Sequence, residues 1–277
     1  MLQAWPRFAR HRGALLALAA LAMLTLSALT APWLAPFDPT EPFRDAMLRP
    51  PAWAGGHLLG TDELGRDLLS RLLHGARLTL GIAASAVLLA SVPGVALGLV
   101  AAFRPRGVGT LILRTADVLL SLPSVLLAIA VVAVLGPGLL NTVLAVAISA
   151  LPAYVRLVRA SAIGEMTQPY VLASRAMGAG PWRLAFITVL PNCMGPVIVN
   201  ATLDFSGAIL TAAGLGFLGL GAQPPAPEWG TMLAGARDFI GRANWVVAWP
   251  GLAILATVLC VNVVGDALGD ALDPRRR

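Results

Sequence analysis

One acid stands inside the long apolar stretch between Arg183 and Glu228: Asp204, with Asn200 one helical turn before it. A carboxylate at the centre of a membrane helix costs roughly 2.5–3.5 kcal/mol and faces the bundle interior or a water-filled cavity. Asp204 can therefore pair with Asn200, line a translocation path, or relay a proton or cation. Other chemistry is sparse. His11, His57 and His74 stand apart, in no ligand spacing and outside the apolar runs, so no metal site is expected. Cys193 and Cys260 have no CxxC partner and read as packing residues. All 20 basic residues are arginine. A phosphate-binding loop needs a lysine behind its glycines, so no ATP-hydrolysing site is expected and no cofactor is implied in this chain.

The second unusual stretch is YVLASRAMGAGPWRLAFITVLPN, residues 170–192. It is too broken to span a membrane and too apolar for an ordinary loop. Pro169 suits the first turn of a short helix, Gly178 and Gly180 its end, and Pro181 the start of a second. Tyr170, Val171, Ala173, Met177, Trp182, Leu184 and Phe186 then need a surface to pack on, whether lipid headgroups or another protein.

These residues sit in a chain that is 57% hydrophobic and 12% charged, with mean hydropathy +0.78. That composition is of an all-α integral membrane protein, one bundle rather than several domains. Its net charge of +6 does not imply nucleic acid, because the arginines lie scattered at the ends of apolar runs. A span needs about 20 mostly apolar residues. Charge-free runs at 13–37, 78–103 and 118–155, the last divided at Gly136, Pro137 and Gly138, place helices at 14–35, 78–103, 112–135 and 139–162. The first reads as a retained anchor rather than a cleaved signal. A single helix at about 194–219 follows, with Pro191 and Pro196 at its start, and the last span covers 243–265. With six spans and both termini cytoplasmic, 13 arginines lie inside and 7 outside, as short cytoplasmic loops require. The expected order is a cytoplasmic N-terminus (1–13), the first helix (14–35), an outer-side segment (36–76), a core (77–267) and a cytoplasmic tail (268–277). The core contains an inside loop at 163–192 and an outside loop at 222–244.

Within 58–77, LLGTDELGRDLLSRLLHGAR reads as an amphipathic outer-side helix. Thr61 would cap it, Leu64, Leu68 and Leu72 would share one face, and Asp67 would pair with Arg71. It would pack on the bundle or receive a docking protein. In the outside loop, Gln223, Glu228 and Trp229 stand among prolines. Trp229 suits the membrane interface, and the loop is either a structural lid or a contact for cargo. Recurrent glycines at 81, 94, 98, 207, 214, 216, 219 and 221 point to close helix packing. Asp266, Asp270 and Asp273, with Arg275 to Arg277, read as a solvated tail.

The 170–192 stretch resembles the cytoplasmic EAA loop of ATP-binding-cassette importer permeases, whose pattern runs E-A-A-x-x-x-G and closes on I-x-L-P. Leu172, Ala173 and Ser174 take the triplet, Gly178 the glycine, and Leu190 with Pro191 the closing pair. Leu172 stands where the family has Glu, and Ser174 where it has Ala. LLGTDELGRDLLSRLLHGAR, GFLGLGAQPPAPEWGTML (216–233) and VNVVGDALGDALDP (261–274) resemble, in order, segments of the dipeptide/oligopeptide/nickel subfamily, in particular its second, C-type permease. The likeness covers about residues 55–274.

The resemblance implies a type I ABC importer permease fold in the bacterial inner membrane. It implies that Tyr170, Ala173, Ser174, Arg175, Met177, Gly178, Leu190 and Pro191 form the coupling-helix loop seated in an ATPase. The implied partners are a homologous permease as heterodimer mate, two ATPase subunits that hold ATP and Mg, and an extracytoplasmic substrate-binding protein. Asn200 and Asp204 are the expected path residues. Cargo is expected to be small peptides or nickel (or a nickel chelate), with YVLASR and the ATLD…EWG wording leaning to nickel. The competing class is a stand-alone secondary transporter or channel using Asp204 as ion relay, with inverted repeats that the halves do not obviously show. A membrane scaffold without transport is the third.

Overall fold

Asp67 starts the helix Leu68–Phe103: its carboxylate accepts the Ser70 amide, satisfying one of the unpaired donors of the first turn. In the computed structural model, which describes residues 4–52 and 56–272, the chain is all helix and loop, with one isolated bridge between Thr61 and Asp67. The helices are α1 (Ala4–Phe8), α2 (Arg12–Leu29), α3 (Ala31–Leu34), α4 (Leu68–Phe103), α5 (Val108–Leu120), α6 (Ser124–Leu135), α7 (Leu139–Met166), α8 (Pro169–Ala176), α9 (Pro181–Arg183), α10 (Leu190–Phe217), α11 (Trp229–Ala236) and α12 (Asn244–Leu272). A π turn, Leu184–Val189, joins α9 to α10 without a break, giving a helical span of 181–217.

Five helical stretches, 181–217 among them, are long and apolar enough to cross a membrane, and α5 with α6, bent by 97°, counts as a sixth when the pair is taken as one broken span. Counted so, the six expected crossings are present, with three differences. The third is broken at Ser121, Leu122 and Pro123, because proline disfavours helical geometry in the residue before it. The fifth starts further back than 194. Pro191 and Pro196 lie within its continuous path rather than ahead of it, and the wide π turn relieves the clash that Pro191 would make with the preceding turn. The helix placed at 58–77 begins only at Leu68 and runs on through the second span. Thr61 is no cap; its hydroxyl donates to the Ala46 carbonyl and accepts from the Arg49 amide.

The core is built on α4 against α7. Gly94 lies where a Cβ would come within 2.5 Å of the Tyr154 Cβ, and Gly98 where it would sit 2.8 Å from the Val158 Cβ. Small residues at these positions let the two backbones approach, which is how apolar helices associate in lipid. Close packing also explains Gly216 and Gly221. Gly81 and Gly214 meet nothing within 4 Å, so tight packing accounts for only part of the glycine pattern. Helix α10 packs on α4, α7 and α12, and α2 lies outermost against α12 and α4. Phe8 and Ala14 close on Ala267 and Ala271, so the chain start and the end of α12 share the end of the bundle that carries α8. Asp273 and Arg275 to Arg277 lie outside the described residues.

Candidate functional site

Helix α8 stands on one buried foot. Pro169 fills its first turn, where the absent N–H costs nothing. Gly178 ends it at φ +85°, the left-handed conformation that a side chain would strain. The Gly178 amide donates to the Arg175 carbonyl (3.0 Å) and the Ala179 amide to the Ser174 carbonyl (3.1 Å), the paired bonds of a Schellman cap. Val171 is buried among Leu184, Val189 and Cys193. Leu172, Ala173, Arg175, Met177 and Gly178 are exposed, Met177 by 82%. The Tyr170 hydroxyl donates to Glu165 at the end of α7, and burial together with that bond pushes the phenol up to about 12. Leu190 and Pro191 lie apart from the exposed knob, in the first turn of α10. The helix-turn-helix expected from Pro169, Gly178 and Pro181 is thus present, and it presents a small-residue knob with an apolar tip.

Asp204 does not pair with Asn200. Its Oδ2 accepts the Tyr154 hydroxyl at 3.1 Å from α7, and Asn200 lies beside the same hydroxyl. Among the described residues Asp204 makes no ion pair. Along α10, Leu203, Gly207, Leu210 and Phe217 are exposed on a face that adjoins the half-buried Asp204. Towards the α8 end, Asn192 and Asn200 line a groove of about 580 Å³ with Glu165 and Leu157 of α7. Tyr154 could not be read as a partner because its mate lies fifty residues away; the available signal was that Asp204 is the one acid of its apolar stretch. A second polar pair joins Arg156 Nη2 to Asp117 Oδ1 at 2.5 Å, with both side chains about half exposed.

The outside-loop residues hold structure rather than present themselves. Glu228 is buried and caps α11, accepting the Gly230 amide (2.9 Å) and the Thr231 amide (2.8 Å), with the Thr79 hydroxyl at 3.3 Å. Trp229 is 1% exposed, and its indole donates to the Leu72 carbonyl of α4 at 3.1 Å. The interface position expected for it is thus replaced by a buried peg, because the loop folds back under the start of α4. Gln223 is exposed, its amide spent on the Gly219 and Gly221 carbonyls.

Beside this loop lies a charged network that the helical reading of 58–77 missed. Asp62 accepts Arg66 Nε at 2.7 Å and lies 3.4 Å from Arg71 Nε, while Arg66 Nη2 reaches Glu63 at 3.0 Å. Asp67 holds His57 Nδ1 at 3.0 Å in place of the expected Arg71. Gly65 at φ +79° turns the chain tightly enough to gather them. Burial and the neighbouring Asp62 raise Glu63 above the ordinary carboxylate range, against the pull of Arg66 and Arg71. His57 and His74 are thereby occupied, the latter against the Ser70 carbonyl. Among the described residues no three His, Cys, Asp or Glu side chains gather as a metal site.

Residues 94–277 match the profile of the binding-protein-dependent transport system inner membrane component, and residues 1–51 that of the N-terminal TM domain of oligopeptide transport permease C. The chain is 60% identical over 275 residues to the di/tripeptide transport system permease protein DppC of Pseudomonas aeruginosa (strain UCBPP-PA14), covering 98% of this chain and 91% of the relative. It is 52% identical to the dipeptide transport system permease protein DppC of Escherichia coli (strain K12), covering 98% and 92%. Among solved structures, an inward-facing form of the MetNI methionine ABC transporter superposes with TM-score 0.62 at 20% identity, over 74% of this chain and 98% of that one. The shared fold is that of type I ABC importer permeases. These relatives carry peptide names, and the lean to nickel drawn from YVLASR finds no support in them.

Proposed function

The chain belongs to the binding-protein-dependent transport system inner membrane components, as a multi-pass permease of the dipeptide/oligopeptide branch, and from that membership we propose that it carries di- and tripeptides inward as one half of an ATP-driven importer. A second, homologous permease completes the path, two ATPases supply ATP and Mg, and a binding protein delivers cargo. The observation that carries this reading is α8, a capped helix with a buried foot and exposed small residues, placed between α7 and α10. Ala173 and Gly178 let an ATPase backbone approach closely, and Met177 is an adaptable apolar tip. Movement of the knob passes to α7 through Tyr170 and Glu165, and to α10 through the continuous helix that begins at Pro181.

The α8 end faces the cytoplasm on this reading, so both termini are inside, as the arginine distribution requires. On this reading Asn200 and Asp204 line the path beside the exposed face of α10, and Tyr154 fixes the carboxylate there. The chain performs no covalent chemistry.

A deletion strain tests the proposal by its sensitivity to a toxic dipeptide and its uptake of labelled nickel. Restoring the gene should restore dipeptide sensitivity only when the partner ATPases are present, and should leave nickel uptake unchanged. Dipeptide uptake without any ATPase would instead favour a stand-alone transporter, and restored nickel uptake would return metal to the cargo.

A further inference from the structure

We propose that a pocket at the α8 end binds one anionic phospholipid, its headgroup at Arg104 and an acyl chain beneath. The pocket has a volume of about 470 Å³ and lies between the end of α4, the start of α5 and the segment that follows α8. Leu99, Val100 and Phe103 form one wall, Trp182 and Phe186 the other, and Arg104 stands at the rim. Trp182 (74%) and Phe186 (39%) are both exposed and lie against each other, ring centroids 4.2 Å apart.

Three features select the ligand. The walls are apolar from Ala96 to Phe103, a depth of about 10 Å at 1.5 Å per residue. Such a shaft accepts a hydrocarbon chain and excludes a free phosphate ion. Arg104 makes no ion pair and no side-chain hydrogen bond among the described residues, and no acid lines the pocket. Arg106 and Arg183, both exposed, add positive charge nearby. Finally, a tryptophan beside arginines is the pairing that settles at the level of lipid headgroups, and basic pockets between membrane helices take anionic ones. A hydrocarbon shaft under an uncompensated cation is complementary to an anionic lipid.

The site also has a consequence for movement. One wall belongs to α4 and the other to the helix that carries the coupling knob into α10, so a bound lipid bridges the two. This inference stands on the pocket itself and holds whatever the cargo proves to be.

The test uses the complete importer in phosphatidylcholine nanodiscs that contain either brominated phosphatidylglycerol or brominated phosphatidylcholine. Trp182→Phe identifies the share of tryptophan fluorescence that Trp182 contributes. That share should report about fivefold higher occupancy by the anionic lipid. Arg104→Gln should equalise the two lipids, and Arg104→Lys should retain the preference. Equal quenching by both lipids in the unaltered protein would overturn the proposal, as would a preference that survives Arg104→Gln. Quenching of the Trp182 share by neither lipid would also overturn it, and would mean that a protein chain covers the pocket.

Discussion

The Tyr154 hydroxyl and the Asp204 carboxylate meet at 3.1 Å and join α7 to α10. A side-chain hydrogen bond contributes about 0.5–3 kcal/mol, the upper part of that range when one partner is charged, so this contact helps to hold together the two helices that flank α8. Tyr154→Phe should lower thermal stability of the purified complex by that order. Asp204→Asn keeps the side-chain shape and removes the charge. It should leave assembly intact and cut dipeptide uptake about tenfold, the rate equivalent of 1.4 kcal/mol. Uptake at the unaltered rate would remove Asp204 from the path.

Glycines separate into two groups by what surrounds them. Gly98→Val should destabilise the complex by about 1–3 kcal/mol or more, because the Val158 side chain occupies the space. Gly81→Ala should change stability by less than about 0.5 kcal/mol, since nothing lies within 4 Å of the added methyl. Thermal denaturation of both variants in one detergent decides it.

A cysteine at Ala173 should cross-link to an ATPase cysteine in the assembled importer, whereas one at Val171, buried in the foot of α8, should not. Gly178→Val forces a β-branched residue into φ +85° and costs about 1–3 kcal/mol of local strain. It should reduce uptake more than it reduces assembly.

Asp62 is buried between Arg66 and Arg71, and Asp62→Asn removes the acid they share, leaving Arg66 with Glu63 alone and Arg71 without its acid partner. Removing one partner of a buried pair costs about 3–5 kcal/mol. The variant should lose thermal stability accordingly, while Arg237→Gln, whose pairing with Asp238 is exposed, should not.

Glu63 carries the opposite sign of pH dependence from most carboxylates. Its folded pKa lies above the ordinary 4.5, so the folded state binds the proton more tightly than the unfolded chain. The stability this contributes is complete below pH 4.5 and is lost as pH rises through the folded value. Glu63→Gln should therefore gain stability relative to the unaltered protein as pH rises from 4 to 7, read from unfolding midpoints. A difference that shrinks over that range would contradict the shift.

Spans were legible wherever charges bound an apolar run, because burying an arginine or aspartate in lipid is costly enough to delimit each helix. The break at Leu122 and Pro123 was not, since the run 118–135 is uncharged throughout and a proline is tolerated in many membrane helices. The short helix from Pro169 and its end at Gly178 were readable from local backbone preference alone. The 61–67 turn was misread because DELGRD satisfies a helical pattern of charge and leucine. The network of Asp62 with Arg66 and Arg71 forms instead at Gly65, where a positive φ folds the chain back. Tyr154 with Asp204, and Trp229 beneath α4, depend on tertiary approach between distant helices and leave no local trace.

The π turn at Leu184–Val189 fixes a rotational phase. It holds one residue more than the same length of α-helix, and one residue of α-helix corresponds to about 100° of rotation. Everything beyond Leu190 is set by that offset. With an ordinary turn in its place, Asp204 would point about 100° away from Tyr154, and Gly207 and Phe217 would turn with it. Six residues beside α8 thus act as a dial for which face of α10 the opposite half of the bundle meets.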